Sequence, residues 1–344
     1  MSKGGFDPDR IQQPQRETPV IPQILSSETP KLAKGFTEIK VVGLGGAGNN
    51  TVDRMIEAGV QGIDFVAVNT DLQALSRSLA RKRVQVGERL TRGLGTGGDP
   101  RIGERAADTG RDALREGLAG ADMVFITAGL GGGTATGMAP IVAEIAQSIG
   151  ALTVGVVTLP FSFEGSRRKL LAHEGLDRLR PQLDSIIVVP NDRLLLTGPA
   201  QRVHIRQAFG LADEVLHHGI QGIADLILTP GLINLDFADV SAIMQNSGSA
   251  MMGMGTAAGE DRATKAAEQA ISSPLLDMSV KGARGLLLNV TGGPDLTLHE
   301  VNNAAEMISA AAAPDANIIF GAVIHPRLKD EVRITVIATG FGKT

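Results

Sequence analysis

Two glycine-rich loops, each set between an apolar strand and the start of a helix, restrict this chain more than any other feature. The first reads Val41-Val42-Gly43-Leu44-Gly45-Gly46-Ala47-Gly48-Asn49-Asn50. The second runs from Met123-Val124-Phe125-Ile126-Thr127 into Ala128-Gly129-Leu130-Gly131-Gly132-Gly133-Thr134-Ala135-Thr136-Gly137. The first N–H groups of a helix have no partner inside it, and the helix dipole adds partial positive charge there. Glycine lets that backbone close around a phosphate without Cβ atoms in the way. One such loop is a weak signal, because glycines also permit tight turns. Two in one sheet point to a polyphosphate held between them.

The surrounding pattern is a β/α alternation. A strand at 39–43 leads to a helix at 49–58 and a second strand at 64–69. Asp99-Pro100 reads as a helix cap followed by proline at the first helical position, opening a helix through Arg115 that feeds a strand at 123–127. Further helix–strand pairs end in strands at 152–159 and 186–190. This order predicts an α/β fold with a doubly wound parallel sheet, its ligands bound at the strand C-terminal ends.

From 201 to 228 the residues Val203, Ala208, Leu211, Val215, Leu216, Ile220, Ile223 and Ile227 recur at helical spacing, which predicts one long helix linking two domains. Beyond it the pattern gives a helix at 236–245, a strand at 250–255, a helix at 262–272, a strand at 285–290 and a helix at 298–312. Strands at 317–323 and 332–338 close the chain and are spaced as an antiparallel pair. The expected organisation is a disordered Pro-rich tail at 1–36, a phosphate-binding domain at 37–200, the linking helix at 201–228 and a smaller α/β domain at 229–344.

Composition removes several function classes. The net charge of −4 argues against a nucleic-acid binder. With no cysteine there are no disulfides or thiolate metal sites, which suits a reducing cytoplasm. No apolar run approaches the ~20 residues of a membrane span, so direct membrane insertion is not expected. The chain has neither Trp nor Tyr, so base stacking falls to Phe, Arg or backbone.

Gly43, Gly45 and Gly48 match G-x-G-x-x-G, and Asp71 lies about where dinucleotide folds keep a ribose-binding acid. On that motif alone a dehydrogenase is the competing reading. The second loop weighs against it, because a dinucleotide site does not require Gly131-Gly132-Gly133-Thr134-Ala135-Thr136-Gly137.

That second loop resembles the signature loop of the tubulin/FtsZ superfamily. Val42-Gly43-Leu44-Gly45-Gly46-Ala47-Gly48-Asn49, Asn69-Thr70-Asp71, Gly93-Leu94-Gly95-Thr96-Gly97-Gly98, Pro160-Phe161-Ser162-Phe163-Glu164-Gly165 and Asn234-Leu235-Asp236-Phe237-Ala238-Asp239-Val240 are similar to segments of the same family in the same order. The resemblance runs from about 39 to 340 and is nearest to the bacterial-type cell-division GTPases of that superfamily. It implies a GTP-binding domain joined by the long helix to a C-terminal activation domain. It also implies GTP or GDP with Mg²⁺ as ligands, head-to-tail filaments of the chain itself, and cell-division regulators as further partners. The expected location is the cytoplasm, at the mid-cell division site.

The resemblance also assigns residues. Gly45, Gly46, Ala47, Gly48 and Asn49 cradle the nucleotide, with Asp71 among the contacts. Gly131, Gly132, Gly133 and Thr134 hold its phosphates, and Thr96, Gly97 and Gly98 sit near the γ-phosphate. Glu164 and Arg168 reach the ribose region; their plain alternative is a surface ion pair on one helical turn. Asn191, at a strand end, suits the nucleoside, and Phe209 packs on the base. Asp213 discriminates most. Guanine offers two adjacent donors, N1–H and the exocyclic amine, that a carboxylate accepts together, whereas adenine leaves it unpaired. Without the resemblance, Asp213 would read as a solvated charge.

Asp236 and Asp239, with Asn234, pose a geometric problem. The helix from Asp213 to about 228 spans over ~20 Å at 1.5 Å per residue, so these acids do not easily reach their own chain's nucleotide. The resemblance supplies the answer: they act on the GTP of the next subunit, where carboxylates position Mg²⁺ or polarise the attacking water. Plain helix capping is the alternative, and the two roles are compatible.

The chain departs from the family pattern at three positions. Ala135 stands where glycine is usual, bringing strain if φ is positive there and a stiffer helix start if it is helical. Thr96 and Gly98 replace common alanines. With Ala135 in the second loop, a GTP-binding filament or regulatory protein with little or no hydrolysis is a second reading. The sequence ends at Thr344 without the family's linker and C-terminal adaptor-binding peptide, so binding to the usual membrane adaptors is not expected.

Overall fold

The computed structural model describes residues 1, 37–196, 204–229, 235–275, 282–325 and 328–341. In chain order, β1 (Ile39–Leu44), α1 (Gly45–Glu57), β2 (Ile63–Asn69), α2 (Leu72–Arg77), β3 (Lys82–Gln85), α3 (Glu88–Thr91), α4 (Pro100–Thr109) and α5 (Arg111–Leu118) come first. They are followed by β4 (Met123–Gly129), α6 (Thr134–Ser148), β5 (Leu152–Leu159), α7 (Ser166–Leu179), β6 (Ser185–Pro190), α8 (Asn191–Leu194) and α9 (Ile205–Leu228). After these come α10 (Phe237–Met244), β7 (Gly248–Ala258), α11 (Arg262–Ile271), β8 (Gly285–Gly292), α12 (Leu298–Ala311), β9 (Asn317–Ile324) and β10 (Glu331–Thr339).

β1 is buried at every position, and β4 and β5 at all but one, as expected of apolar runs covered by helices on both faces. The strands from β1 to β6 are parallel, in the order β3-β2-β1-β4-β5-β6. Side chains alternate along β1, so Val42 and Leu44 join a core with α4, α5 and α6, while Val41 joins the opposite one with α1 and α9. The register sets Gly43 opposite Thr127 and Leu44 opposite Ala128. Both chains therefore leave the sheet at the same level, side by side, at the point where the strand order reverses. That is where ligands bind in such sheets.

The sheet does not stop at β6. β7 pairs in parallel with β6 through Gly248–Ala250, then antiparallel with β10 from Met251 to Ala258. β10 also pairs antiparallel with β8, and β8 pairs in parallel with β9. The expected β9–β10 pair is thus absent, with β8 lying between the two strands. β10 is buried along nearly its whole length and needs neighbours on both sides, whereas β9 is exposed at its start and half-buried over much of its length, as suits an edge.

Two helix boundaries also differ from expectation. The helix expected from Asp99 through Arg115 is two, α4 and α5, separated at Gly110. A Cβ at Gly110 would lie 2.6 Å from Val86 Cγ1, so the close approach fixes glycine there and the non-helical backbone breaks the rod. α1 begins at Gly45 rather than at 49, which makes the first glycine loop itself the opening turn of the helix. Asp99 caps α4 as expected, accepting from the Arg101 N–H with Pro100 in the first turn. The long helix is present from Ile205; the expected start at 201–203, the tail at 2–36 and Asn234 lie outside the described residues.

Candidate functional site

A cavity of about 280 Å³ opens at the ends of β1 and β4. Gly45, Gly46 and Ala47 wall it from the first loop, and Gly132, Gly133 and Thr134 from the second. Thr96 comes from the loop before α4, Glu164 and Arg168 from the start of α7, and Asn191 from the end of β6. Phe209 and Asp213 project from α9. Residues drawn from six stretches of sequence thus meet at one point, including the start of α6 with its unpaired N–H groups.

Others of the expected set stand behind the wall rather than in it. A Cβ at Gly48 would lie 2.3 Å from the Thr127 carbonyl oxygen, so this glycine lets α1 pack on β4. Asn49 is 3 % exposed and its side-chain amide meets that of Asn69 at 3.3 Å, tying the first loop to β2. Asp71 caps α2, accepting from the Ala74 N–H at 3.0 Å. Gly97 and Gly98 have φ of 59° and 81° and shape the turn before α4. The Gly131 N–H donates to Thr136 Oγ1 at 2.9 Å, and a Cβ there would meet the Arg168 carbonyl. Asp236 and Asp239 lie outside the cavity, exposed, in a reciprocal cap of α10. Asp236 Oδ1 accepts from the Asp239 N–H at 2.9 Å, and Asp239 Oδ2 from the Asp236 N–H at 3.4 Å.

Sequence reasoning missed Thr158 and Pro160, which also line the cavity at the end of β5, and Thr70, whose hydroxyl is bonded to that of Thr134. The strand-end rule that placed Asn191 points equally to Thr158 and Pro160. Ala135 lies in the first turn of α6, 5 % exposed, and is not among the positive-φ residues. Of the two expectations for this position, the stiffer helix start holds.

The polar groups of the cavity are arranged unevenly. Among the described residues Asn191 Oδ1 is buried without a hydrogen-bond partner, an acceptor left over at the cavity wall. Arg168 pairs with Glu164, whose other oxygen accepts from the Phe161 N–H at 2.9 Å, so the surface ion pair of the plain alternative exists at the cavity edge. Phe209 meets Phe161 edge-on at 5.4 Å, and Phe161 stacks on Phe163 at 5.0 Å. Asp213 is 8 % exposed and bonded to Arg54 Nε at 3.2 Å. Burial pushes its carboxyl up to about 6, against the pull of the Arg54 guanidinium. A buried carboxylate with one partner keeps acceptor capacity for another.

A reversing parallel sheet with two glycine loops and a carboxylate-bearing helix at one cavity defines a class, the tubulin/FtsZ GTPases. Residues 38–197 match the Tubulin/FtsZ family GTPase domain, and residues 248–342 match the FtsZ family C-terminal domain. The chain is 48% identical to the FtsZ of M. jannaschii in a structure of its empty dimer, covering 90% of both chains with a TM-score of 0.86. CetZ1 of Haloferax volcanii, solved as a GDP-bound monomer, shares the fold at 21% identity and a TM-score of 0.77, over 89% of this chain and 95% of that one. CetZ2 of the same organism, solved as a GTPγS-bound protofilament, shares it at 21% identity and a TM-score of 0.74, over 90% and 94%. The chain belongs to the FtsZ family.

Proposed function

We propose that this chain binds and hydrolyses GTP and assembles head to tail into filaments that serve cell division. The observation that carries the reading is Asp213, which brings a buried carboxylate to the cavity walled by both glycine loops. The cavity fits a guanine nucleotide on chemical grounds. Asp213 accepts from the two adjacent donors of guanine, the spare Asn191 oxygen takes a further donor of the nucleoside, and Phe209 covers the base. The loop backbones and the α6 N-terminus receive the phosphates. Among the described residues no three carboxylate or imidazole groups converge as a metal site, so Mg²⁺ is assigned to the phosphates and water. It would neutralise charge there.

Asp236 and Asp239 are exposed at the start of α10, beyond the end of α9. α9 runs about 22 Å from Asp213 to its end at 1.5 Å per residue, which favours action on a neighbour's nucleotide. There the Asp239 carboxylate orients and polarises the attacking water, with Asp236 beside it and Asn234 a further candidate from the sequence. Such a contact is heterologous and grows into an open filament. The relatives solved as a dimer and a protofilament support self-association.

The test is GTP hydrolysis per subunit across a protein dilution series with Mg²⁺, with ATP as the control. Turnover that appears only above a threshold concentration, and only with GTP, is expected. A rate independent of concentration would place the whole site within one chain, and binding without turnover would favour the non-hydrolysing filament.

A further inference from the structure

The two edges of the sheet are built differently. β3 forms one of them with four residues, Lys82-Arg83-Val84-Gln85, short and twice charged. β9 forms the other with eight, Asn317-Ile318-Ile319-Phe320-Gly321-Ala322-Val323-Ile324, with no charge and no proline. A short charged edge turns a further strand away, whereas a long apolar one is a template for pairing. Among the described residues β9 pairs with β8 alone. Ile318, Phe320 and Ile324 pack on the core of the C-terminal sheet, and Ile319 on the core shared with α9, yet all four are only half-buried.

The β8–β9 ladder fixes which backbone groups face outward. The N–H groups of Asn317 and His325 donate to the Arg284 and Gly292 carbonyls, each at 2.8 Å, so the odd-numbered residues of β9 turn to β8. In a strand the N–H and C=O of one residue share a side, which leaves Ile318, Phe320, Ala322 and Ile324 to address the outer edge. A second β9 running the other way, about a two-fold axis at Gly321, opposes Ile318 with Ile324 and Phe320 with Ala322. Every outward residue then exchanges both its hydrogen bonds with a counterpart, and the side chains meet as apolar cross-strand pairs. Charge agrees with this direction. Exposed Asp315 precedes β9 and exposed His325 and Lys329 follow it, while Asp330 is engaged by Arg262 at 3.5 Å. Antiparallel pairing brings the acid of one copy toward the basic end of the other, whereas parallel pairing would set Asp315 against Asp315.

We propose that the outer edge of β9 is an interaction surface for a second copy of this chain, joined antiparallel about a two-fold axis so that the sheets of two subunits become continuous. Such a contact is isologous and closes, unlike a head-to-tail contact. Two eight-residue strands are a small contact beside the ~1,200 Å² at which stable interfaces begin. An isolated pair is therefore weak, and repetition along two filaments lying side by side strengthens it. β5, β6, β7, β10 and β8 separate β9 from β4, so this pairing leaves the cavity open.

The chain has no cysteine, so single cysteines report the register directly. In the proposed pair, residue 317 of one copy opposes residue 325 of the other without a hydrogen bond, where Cα atoms stand ~4.5 Å apart and a disulfide fits. Asn317→Cys and His325→Cys are each oxidised alone and then mixed, without nucleotide, so that the result does not depend on the GTP reading. Only the mixture is expected to give a cross-linked dimer, because like cysteines lie ~26 Å apart at 3.3 Å per residue. Ile318→Lys added to both variants charges the edge and should abolish the cross-link in a protein that still melts cooperatively. Asn317→Cys joined to itself would mean parallel stacking and would overturn the proposal. So would a mixture that gives no more dimer than either variant alone, or a cross-link that survives Ile318→Lys unchanged.

Discussion

Asp213 sits where two demands conflict. The fold buries it, which favours the neutral acid, while guanine requires the anion; Arg54 at 3.2 Å partly offsets the burial. The conflict gives two pH dependences of opposite sign. A carboxyl whose folded pKa is raised from 3.8 to about 6 contributes stability at low pH that is lost as pH rises through about 6. Nucleotide binding needs the ionised form, so affinity is gained over the same interval. Between pH 6 and pH 5, GTP affinity should fall by up to about tenfold while the free protein's stability does not fall on account of this group, as titration and thermal melts at each pH would show. Asp213→Asn should lose the pH dependence and about two orders of magnitude in GTP affinity. An amide presents one acceptor and one donor, the complement of xanthine rather than guanine, so this variant should gain affinity for xanthosine triphosphate. A variant that binds neither nucleotide yet melts normally would place the base elsewhere.

At the scale of elements, identical glycines do different work. A Cβ at Gly137 would lie 1.9 Å from the Pro100 carbonyl oxygen, so α4 and α6 touch backbone to backbone. Gly137→Ala should destabilise the fold by about 3 kcal/mol or more, read as a fall in denaturant midpoint with an unchanged slope. Gly46 has open space where a Cβ would stand and lines the cavity, so Gly46→Ala should leave the midpoint nearly unchanged and weaken nucleotide binding. The sequence does not separate these cases, because a glycine that admits a ligand and one that admits a helix are the same letter. For that reason Gly48 and Gly131 read as ligand contacts, whereas their structural neighbours are Thr127 and Arg168. Several local signals were legible: the Asp99-Pro100 cap, the apolar strands and the period of α9 all depend on adjacent residues, whereas the break at Gly110 answers to Val86 across the fold. The insertion of β10 between β7 and β8 depends on partners far along the chain, and no local pattern marks it. Within the cavity, residues named by a motif were found. Thr158, at the end of β5, and Thr70, behind the wall, were not named, since the strand-end rule marks a place and not a residue and a lone threonine carries no spacing signature.

For the whole molecule, the question is which chain supplies the acids. Asp236 both caps α10 and stands in the proposed catalytic pair, so its removal by alanine mixes about 1 kcal/mol of lost capping with any loss of turnover. Asp239 is the cleaner probe, because among the described residues its side chain makes only the long 3.4 Å contact to the Asp236 N–H. Asp239→Ala should bind GTP normally and hydrolyse almost none. Asp213→Asn should bind GTP poorly while keeping its acids. If each active site is shared, the two defects lie on opposite sides of an interface and a mixture repairs some of them. In a random equimolar filament, about a quarter of the interfaces pair an intact nucleotide site with intact acids. Turnover should therefore rise from near zero in either variant to about a quarter of the unmodified rate in the mixture, with both variants in the sedimented polymer. Co-sedimentation without recovered turnover would mean that acids and nucleotide act within the same chain, whereas an Asp239→Ala protein that hydrolyses GTP normally by itself would reduce the carboxylates of α10 to caps.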